Sequence, residues 1–429
     1  MPFAALGLSA PLVHTTSQLG YEVPTQVQVE AIPAILRGED VWACAATGSG
    51  KTAAFVLPLL DRLSRPAATG TAPGQQTPGP RPVCVLLLVP TRELAMQITA
   101  AVQRYGRDLP VKLKTCALIG GVSENPQMMA LRGGADIVIA TPGRLLDLIR
   151  KNALTLHHVE TVVLDEADRL LSLGFGDELA EIRALVPQRV QTLLFSATFP
   201  DGVKALAARL LHNPTRIQVA VEQSPLLDTL VQRAIEVDVA KRTPLLCELL
   251  KTQDWPQVLV FVASRYGADH VVEKLATARI TAAALHGELS QGRRTDALAD
   301  FKAKRIQVLV ATDVAARGID IVSLPVVVNY DLPRSPVDYL HRVGRTARAG
   351  ATGLAVNLIT AENDAHFRLI EKRHKFSVVR EQIAGFEPTV HTPPPGDPHG
   401  GIKGKKPNKK DKLRAAAAAA TKAPGTDKS

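Results

Sequence analysis

Aromatic side chains are scarce: Phe, Tyr and Trp supply only 4% of the 429 residues. The apolar interior must therefore come from aliphatic residues, and Ala and Val fill much of that quota. Cysteine is scarcer still. Cys44, Cys84, Cys116 and Cys247 are far apart, each in or beside an apolar run, with no CxxC pair. That spacing excludes a zinc-ribbon site and a disulfide framework, and leaves buried thiols in a reducing compartment as the expectation. No apolar run approaches the ~20 residues that cross a bilayer. The N-terminus has no charged segment leading into an apolar one, so no secretory signal is read. The expectation is a soluble, cytoplasmic protein with no membrane partner.

The chain is too long for one compact core, and two domains plus extensions are expected. Net charge is +10, which favours a polyanionic partner. The charge is uneven. His391–Ser429 holds nine Lys/Arg and three Asp/Glu, so nine minus three gives +6 in the tail alone. The body is only mildly basic, so any nucleic-acid contact there must come from placed residues.

Met1–Arg37 reads as a helical preface. Within it, Thr25 follows Pro24 and can cap the next helix, with Gln28 in the first turn. Gln28 has two readings: a surface helix start, or an amide that donates to and accepts from a base. Short apolar runs then alternate with helical patterns. Asp40–Cys44, Val83–Val89, Ile137–Ala140, Thr161–Leu164 and Thr192–Phe195 are the strands of a first series. Val258–Val262, Thr281–Leu285, Val308–Ala311, Val326–Asn329 and Leu354–Ile359 are those of a second. Runs of this kind predict parallel sheets buried on both faces. Ser64–Pro82, rich in Pro, Gly, Thr and Gln, reads as a mobile surface loop. The predicted division is 1–221, a linker at 222–230, a second α/β domain at 231–388 and a tail at 389–429. The tail runs from Pro/Gly through Lys to six alanines from Ala415, and lacks the apolar mass to fold alone.

Two stretches carry chemistry. Ala45-Ala46-Thr47-Gly48-Ser49-Gly50-Lys51-Thr52 joins a strand to a helix. Its glycines let N–H groups turn inward around a phosphate; Lys51 can reach the outer phosphates, and Thr52 can ligate the accompanying metal. A Gly-rich turn that merely joins the two elements is the plainer reading. Asp165-Glu166-Ala167-Asp168 follows the strand-like Val162–Leu164, where parallel sheets place their sites. Asp165 is positioned to hold Mg²⁺, and Glu166 to orient the attacking water.

With these two motifs the chain resembles the DEAD-box ATP-dependent RNA helicases, over about Phe3 to Pro388. Further motifs appear in the family's order: Pro90-Thr91-Arg92-Glu93-Leu94-Ala95, Gly120-Gly121, Thr141-Pro142-Gly143-Arg144, Ser196-Ala197-Thr198, Phe261 through Arg265, His286-Gly287, Gln291 with Arg294, Ala311–Asp320, and His341 through Arg348. The texture of Ser123–Met129, Gly174-Phe175 and Leu298–Lys302 looks most like the bacterial RhlE-type subgroup. The resemblance implies two tandem RecA-like α/β domains, each a parallel sheet flanked by helices, followed by a disordered basic C-terminal tail.

The resemblance also implies site roles. Phe3, Tyr21, Thr25 and Gln28 would read adenine, Ala45–Thr52 would hold the phosphates of ATP, and Asp320 would take the ribose. Lys51, Asp165, Glu166, Asp168, Ser196, Thr198 and His341 would form the catalytic group, with Arg345 and Arg348 as fingers from the second domain. Those two arginines share one face if their segment is helical, and Ala347 between them favours a helix. Asp313 would support the same junction. Pro90, Thr91, Arg92, Gly121, Thr141, Arg144, Arg265, Gly287 and Thr312 would grip the RNA backbone without reading bases; an internal salt bridge is the other reading of Arg92. Ribosome-assembly or RNA-decay factors are the implied partners. A non-catalytic RNA clamp or annealing factor, or a DNA helicase, are the alternatives. Ala46 stands where Gln is common and Val27 where Ile is, and neither removes a catalytic group.

Overall fold

The computed structural model describes residues 2–45, 48–65, 80–219, 230–316, 324–346 and 353–389. Ala46, Thr47, Asp320, Ala347, Arg348, the tail and most of the Pro/Gly loop and the linker lie outside the described residues.

The described strands form two sheets of seven strands each. The first contains β1 (Val41–Cys44), β2 (Val85–Leu88), β3 (Thr115–Leu118), β4 (Ile137–Ala140), β5 (Thr161–Leu164), β6 (Gln191–Ser196) and β7 (Thr215–Gln218). Its order is β3-β4-β2-β5-β6-β1-β7, and every pairing is parallel. The second contains β8 (Leu230–Glu236), β9 (Val258–Val262), β10 (Ala282–Leu285), β11 (Val308–Thr312), β12 (Val326–Asn329), β13 (Gly353–Ile359) and β14 (Arg380–Glu381). Its order, β10-β11-β9-β12-β13-β8-β14, repeats that of the first sheet strand for strand, again all parallel.

The central strands are those with unbroken apolar runs. VLLL of β2, IVIA of β4 and VLVFV of β9 are buried at every position. Helices cover both faces of such a sheet, so neither face tolerates a polar side chain without a partner. The sequence reading missed β3, β7, β8 and β14. β3 and β7 are edge strands of the first sheet. In β7 only Ile217 is buried, so the strand carries no apolar run to read. β14, also an edge, has two residues. β8 is interior but mixes buried, half-exposed and exposed positions along Leu-Val-Gln-Arg-Ala-Ile-Glu, and its first residue, Leu230, falls in the segment predicted as linker.

The first core lies on both faces of sheet one. The helix Lys51–Ser64 packs its Phe55 ring 5.2 Å from Phe195 on one face, and Leu145, Leu148 and Leu170 fill the other. The second core holds buried polar groups within the sheet. Asn329 and Asn357 are fully buried, and Asn329 Nδ2 donates to Asn357 Oδ1 at 2.8 Å. Arg342 is also buried; it donates to Asn329 Oδ1 at 2.9 Å and to both Asp313 oxygens at 2.6 and 2.8 Å. Its guanidinium stands 4.8 Å above the Phe261 ring. Every one of these buried polar groups has a partner, which is the condition for tolerating them.

One expectation about local structure is corrected. The helix Pro336–Val343 stops before Arg345. Gly344 donates to Leu340 O, and the next two residues turn: Arg345 N donates to Arg342 O and Thr346 N to Val343 O, while Leu324 pairs with Thr346 as an isolated bridge. Arg345 therefore projects from a turn, and the shared helical face drawn for the arginine pair does not form at its first member. Thr346 is fully buried, with its hydroxyl donating to Leu324 O, and it fixes that turn.

Candidate active site

Each site segment of the first half follows the C-terminal end of a strand: the loop after β1, Pro90–Arg92 after β2, Gly120-Gly121 after β3, Thr141–Arg144 after β4, Asp165–Asp168 after β5 and Ser196–Thr198 after β6. A parallel sheet aims all these ends one way, so residues far apart in sequence meet on one rim.

A cavity of about 1020 Å³ opens at this rim. Gly48, Gly50, Lys51 and Thr52 line one part, Asp165 and Glu166 another, and Phe3, Tyr21, Thr25 and Gln28 a third. Arg345 reaches the same cavity from the second half. Ala45 is buried, and its carbonyl accepts from Lys51 Nζ at 2.8 Å. Ser49 lies in the same loop, which turns into the helix at Gly50 with φ 91°. A side chain at Gly50 would meet Gln28 Nε2 at 2.4 Å, so both backbone and packing require glycine there.

Gln28 is more constrained than either sequence reading supposed. It is buried; its Oε1 accepts from Thr25 N at 2.9 Å and its Nε2 donates to Gly50 O at 3.2 Å. One N–H and one lone pair of the amide remain beyond those two bonds. The helix start and the base-reading amide are thus compatible, and the amide is tied directly to the phosphate loop. Phe3 is buried with its ring 6.5 Å from Tyr21, whose hydroxyl accepts from Arg104 Nη2 at 3.2 Å.

Asp165 is buried, and burial pushes its carboxyl up to about 6 against the opposing pull of Lys51. Its Oδ1 accepts from Glu166 N at 2.9 Å. Glu166 has left-handed backbone, φ 51° and ψ 50°, uncommon for a residue with a side chain and a store of local strain. Its Oε2 is buried without a hydrogen-bond partner. Asp168 Oδ2 accepts from Thr198 Oγ1 at 2.9 Å, and Ser196 Oγ donates to Thr198 O at 2.7 Å, so the three residues read as one group stand together.

A buried carboxylate and a hydroxyl facing one cavity are hard oxygen donors. Among the described residues no three His, Cys, Asp or Glu side chains cluster to hold a metal. Two protein oxygens with the rest of the shell left to phosphate and water is what Mg²⁺ prefers, so Thr52 and Asp165 fit that ion.

A second rim lies beside the cavity. Arg92 Nη1 is 3.5 Å from Gly121 O, and a side chain at Gly121, φ 67°, would meet Arg92 Nη2 at 1.8 Å. The Gly120 N–H donates to Thr141 Oγ1 at 3.3 Å, and Arg144 Nη2 donates to Val122 O at 2.9 Å. Arg144 Nε and Nη1 are buried without partners, a half-used fork suited to an anion. Arg92 forms no salt bridge among the described residues. The Thr91 hydroxyl caps its own helix, accepting from Leu94 N at 3.3 Å. Pro90 precedes it on the same rim. In the second half Arg265, Gly287 and Thr312 follow or end the neighbouring strands β9, β10 and β11. Arg265 pairs there with Glu288.

Of the residues through which the halves meet, the sequence reading assigned only His341, as a partner of the Asp168, Ser196 and Thr198 group across the two domains. Arg169 Nη2 lies 2.5 Å from Asp338 Oδ1 and 2.8 Å from His341 Nδ1. His341 thus reaches the first half through the neighbour of Asp168. Glu93 and Arg294 form a second bridge at 2.6 Å, each 6% exposed. Burial lowers the Arg294 pKa while Glu93 opposes the shift. Both residues lie within motifs quoted above, but a pairing between distant motifs leaves no mark in spacing. Asp313 serves the second half internally, as the bidentate partner of Arg342.

Comparison with known proteins agrees with this arrangement. Residues 25–206 match the family model DEAD/DEAH box helicase, and residues 241–350 match Helicase conserved C-terminal domain. The chain is 38% identical over 373 residues to the DEAD-box ATP-dependent RNA helicase CshA of Bacillus cereus, covering 87% of this chain and 68% of that one. It is 37% identical over 388 residues to CshA of Bacillus subtilis, covering 90% and 74%. The structure of S. cerevisiae Dbp5 bound to RNA and ADP BeF3 superposes with a TM-score of 0.77 at 30% identity, covering 89% of this chain and 95% of that one. Family models that together match most of the chain, and relatives 38% and 37% identical over nearly nine-tenths of it, show that the chain belongs to the DEAD-box ATP-dependent RNA helicases.

Proposed function

We propose that the protein hydrolyses ATP when bound to RNA and uses closure of its two halves to separate short duplexes or remodel ribonucleoproteins. The observation that carries this reading is Arg345 of the second half lining the cavity built by the loop and Asp165 of the first.

The roles follow from placement. Gln28 would select adenine with its remaining N–H and lone pair, and Lys51 would leave Ala45 O for the outer phosphates. Thr52 and Asp165 would hold Mg²⁺, which neutralises phosphate charge when bound. Glu166 would orient the attacking water, and Arg345 would stabilise charge on the transferring group. Asp168, Ser196, Thr198 and His341 would keep the halves in register through Arg169. Arg348 and Asp320, outside the described residues, keep the finger and ribose roles read from the sequence. The phosphate rim at Pro90–Arg92, Gly121, Thr141 and Arg144, continued by Arg265, Gly287 and Thr312, would hold RNA by its backbone, so binding should be largely indifferent to sequence. ATP and RNA each bridge the halves, so each should strengthen the other's binding.

The domain limits 1–221, 231–388 and 389–429 belong to this proposal, as do a cytoplasmic location and partners in ribosome assembly or RNA decay. Placement in the RhlE-type subgroup rests on the texture noted above, while the relatives compared carry the CshA name. No helix among the described residues is long and apolar enough to cross a membrane.

The test is ATP turnover with no nucleic acid, with RNA and with matched DNA. RNA stimulation alone is the expected result. Equal stimulation by DNA favours a DNA helicase, and none favours a non-catalytic clamp. Glu166→Gln should lower turnover about 10²–10⁴-fold while RNA stays bound in ATP; loss of both would remove the role given to Glu166.

A further inference from the structure

Tyr266 is the exception among the five tyrosines. Tyr105, Tyr330 and Tyr339 are buried, Tyr21 is half-buried, and Tyr266 is 78% exposed. Its ring lies parallel to that of His270, with 11° between planes and centroids 6.1 Å apart. The pair sits one turn apart on the helix Arg265–Thr277, so the stack holds the tyrosine plane in place.

The position of this platform is informative. The same helix turns another stripe, Arg265 and Asp269, onto the loop after β10. Arg265 pairs with Glu288, and Asp269 Oδ1 lies 3.1 Å from His286 Nε2. Ala268, Val271 and Leu275 form the buried face. Tyr266 therefore follows Arg265 in the first turn of a helix whose neighbouring stripe faces the loop that holds Gly287; Arg265 and Gly287 are the residues given to the RNA backbone in the second half.

We infer that Tyr266, backed by His270, is a stacking platform for a nucleobase of the RNA strand held at Arg265 and Gly287. The inference rests on the RNA-binding reading above. The flanking groups are Arg265, Glu288 and the exposed Glu273, so the ring is an isolated apolar face among charges. Protein docking favours contiguous apolar patches, whereas one ring suffices for one base. Every base has a π-face, so the contact adds affinity without imposing sequence.

The experiment measures binding of a short oligouridylate to the full chain with a non-hydrolysable ATP analogue, across a salt series. Loss of one stacked base should weaken binding by Tyr266→Ala about 5- to 150-fold. Tyr266→Trp should restore it. The salt slope should stay unchanged in Tyr266→Ala, because no charge is removed, and fall in Arg265→Ala. An abasic scan of the oligonucleotide should find one position where the unmodified chain loses affinity and Tyr266→Ala does not. Undiminished binding by Tyr266→Ala, failure of Trp to restore it, or a scan with no such position overturns the inference. ATP turnover without RNA should be the same in the unmodified chain, Tyr266→Ala and Tyr266→Trp, which shows that the two tyrosine variants are folded. If RNA fails to stimulate the unmodified chain, the helicase reading falls; if it stimulates and Tyr266→Ala binds normally, only the platform falls.

Discussion

The two sheets share one strand order, yet among the described residues only the first carries the loop proposed to hold a nucleotide. The difference lies in the first connection. After β1 the chain runs through Gly48, Ser49 and Gly50 into a helix whose first residue is Lys51. After β8, the equivalent strand, it runs through Val237 and Asp238 to a short 3₁₀ turn, Val239–Lys241, and then the helix Arg242–Thr252. No glycine lets N–H groups curl inward there, and Asp238 instead accepts from Thr389 N and Oγ1, at 3.0 and 2.7 Å on Oδ2. The second sheet invests its polar groups elsewhere, in the Arg342–Asp313–Asn329–Asn357 network beneath the turn that holds Arg345. Under the proposed function the first half would hold the phosphates and the second would position Arg345 against them, and the shared topology decides neither role.

Arg345→Ala breaks this division of labour most directly. Arginine fingers are worth about 10³–10⁵ in rate, so RNA-stimulated turnover should fall by that factor while ATP affinity changes little. Steady-state hydrolysis beside fluorescent-nucleotide binding reads both quantities. A large loss of ATP affinity would mean that Arg345 helps bind ATP in the ground state, and its role as a finger that acts on the transferring group would be wrong.

Arg342→Ala tests the positioning network. Removing one member of a buried ion pair costs about 3–5 kcal/mol, because Asp313 and Asn329 are left without their partner. Urea unfolding of a two-domain chain can show separate transitions. The transition of the second half should move to lower urea and that of the first should stay. A uniform shift would show that the network supports the interface instead.

Glu93→Gln probes the junction itself. It leaves Arg294 buried without its carboxylate while keeping a hydrogen-bonding oxygen, so the effect should be smaller, about 1–3 kcal/mol on closure. RNA affinity should fall in the presence of an ATP analogue and hold in its absence. Equal loss under both conditions would place Glu93 in RNA contact and remove it from the junction.

The legibility of this fold follows burial. β2, β4 and β9 could be read because they are apolar and buried at every position, and β5 because only its first residue, Thr161, is polar. β7 could not, since an edge strand buries only Ile217, and neither could β8, whose polar residues find partners that the sequence does not announce. The site was legible wherever chemistry fixes spacing within one segment, as in Gly48–Thr52 or Asp165–Asp168. It was illegible where function lies in a pairing across the chain. Nothing in local sequence says that Glu93 faces Arg294, or that Arg169 carries the link to His341. The condition set for Arg345 and Arg348, a helical segment, is not met at Arg345: the helix stops at Val343 and Thr346 bridges Leu324, a tertiary pairing that local sequence does not announce.

The smallest expected effect concerns the tail, where the charge asymmetry of the sequence lies. A basic segment would attract RNA phosphates without contributing to the closed site, and such attraction weakens as salt displaces it. Removing Thr392–Ser429 should therefore raise the apparent KM for RNA several-fold at low salt and leave kcat near its full-length value. The difference should vanish as ionic strength rises, because the cavity and its Arg345 are untouched. The measurement is RNA-stimulated turnover of both chains across a salt series. An equal salt slope in the two would show that the body supplies all the phosphate contacts, and would make the second half, with Arg265 on its rim, the place where RNA first engages.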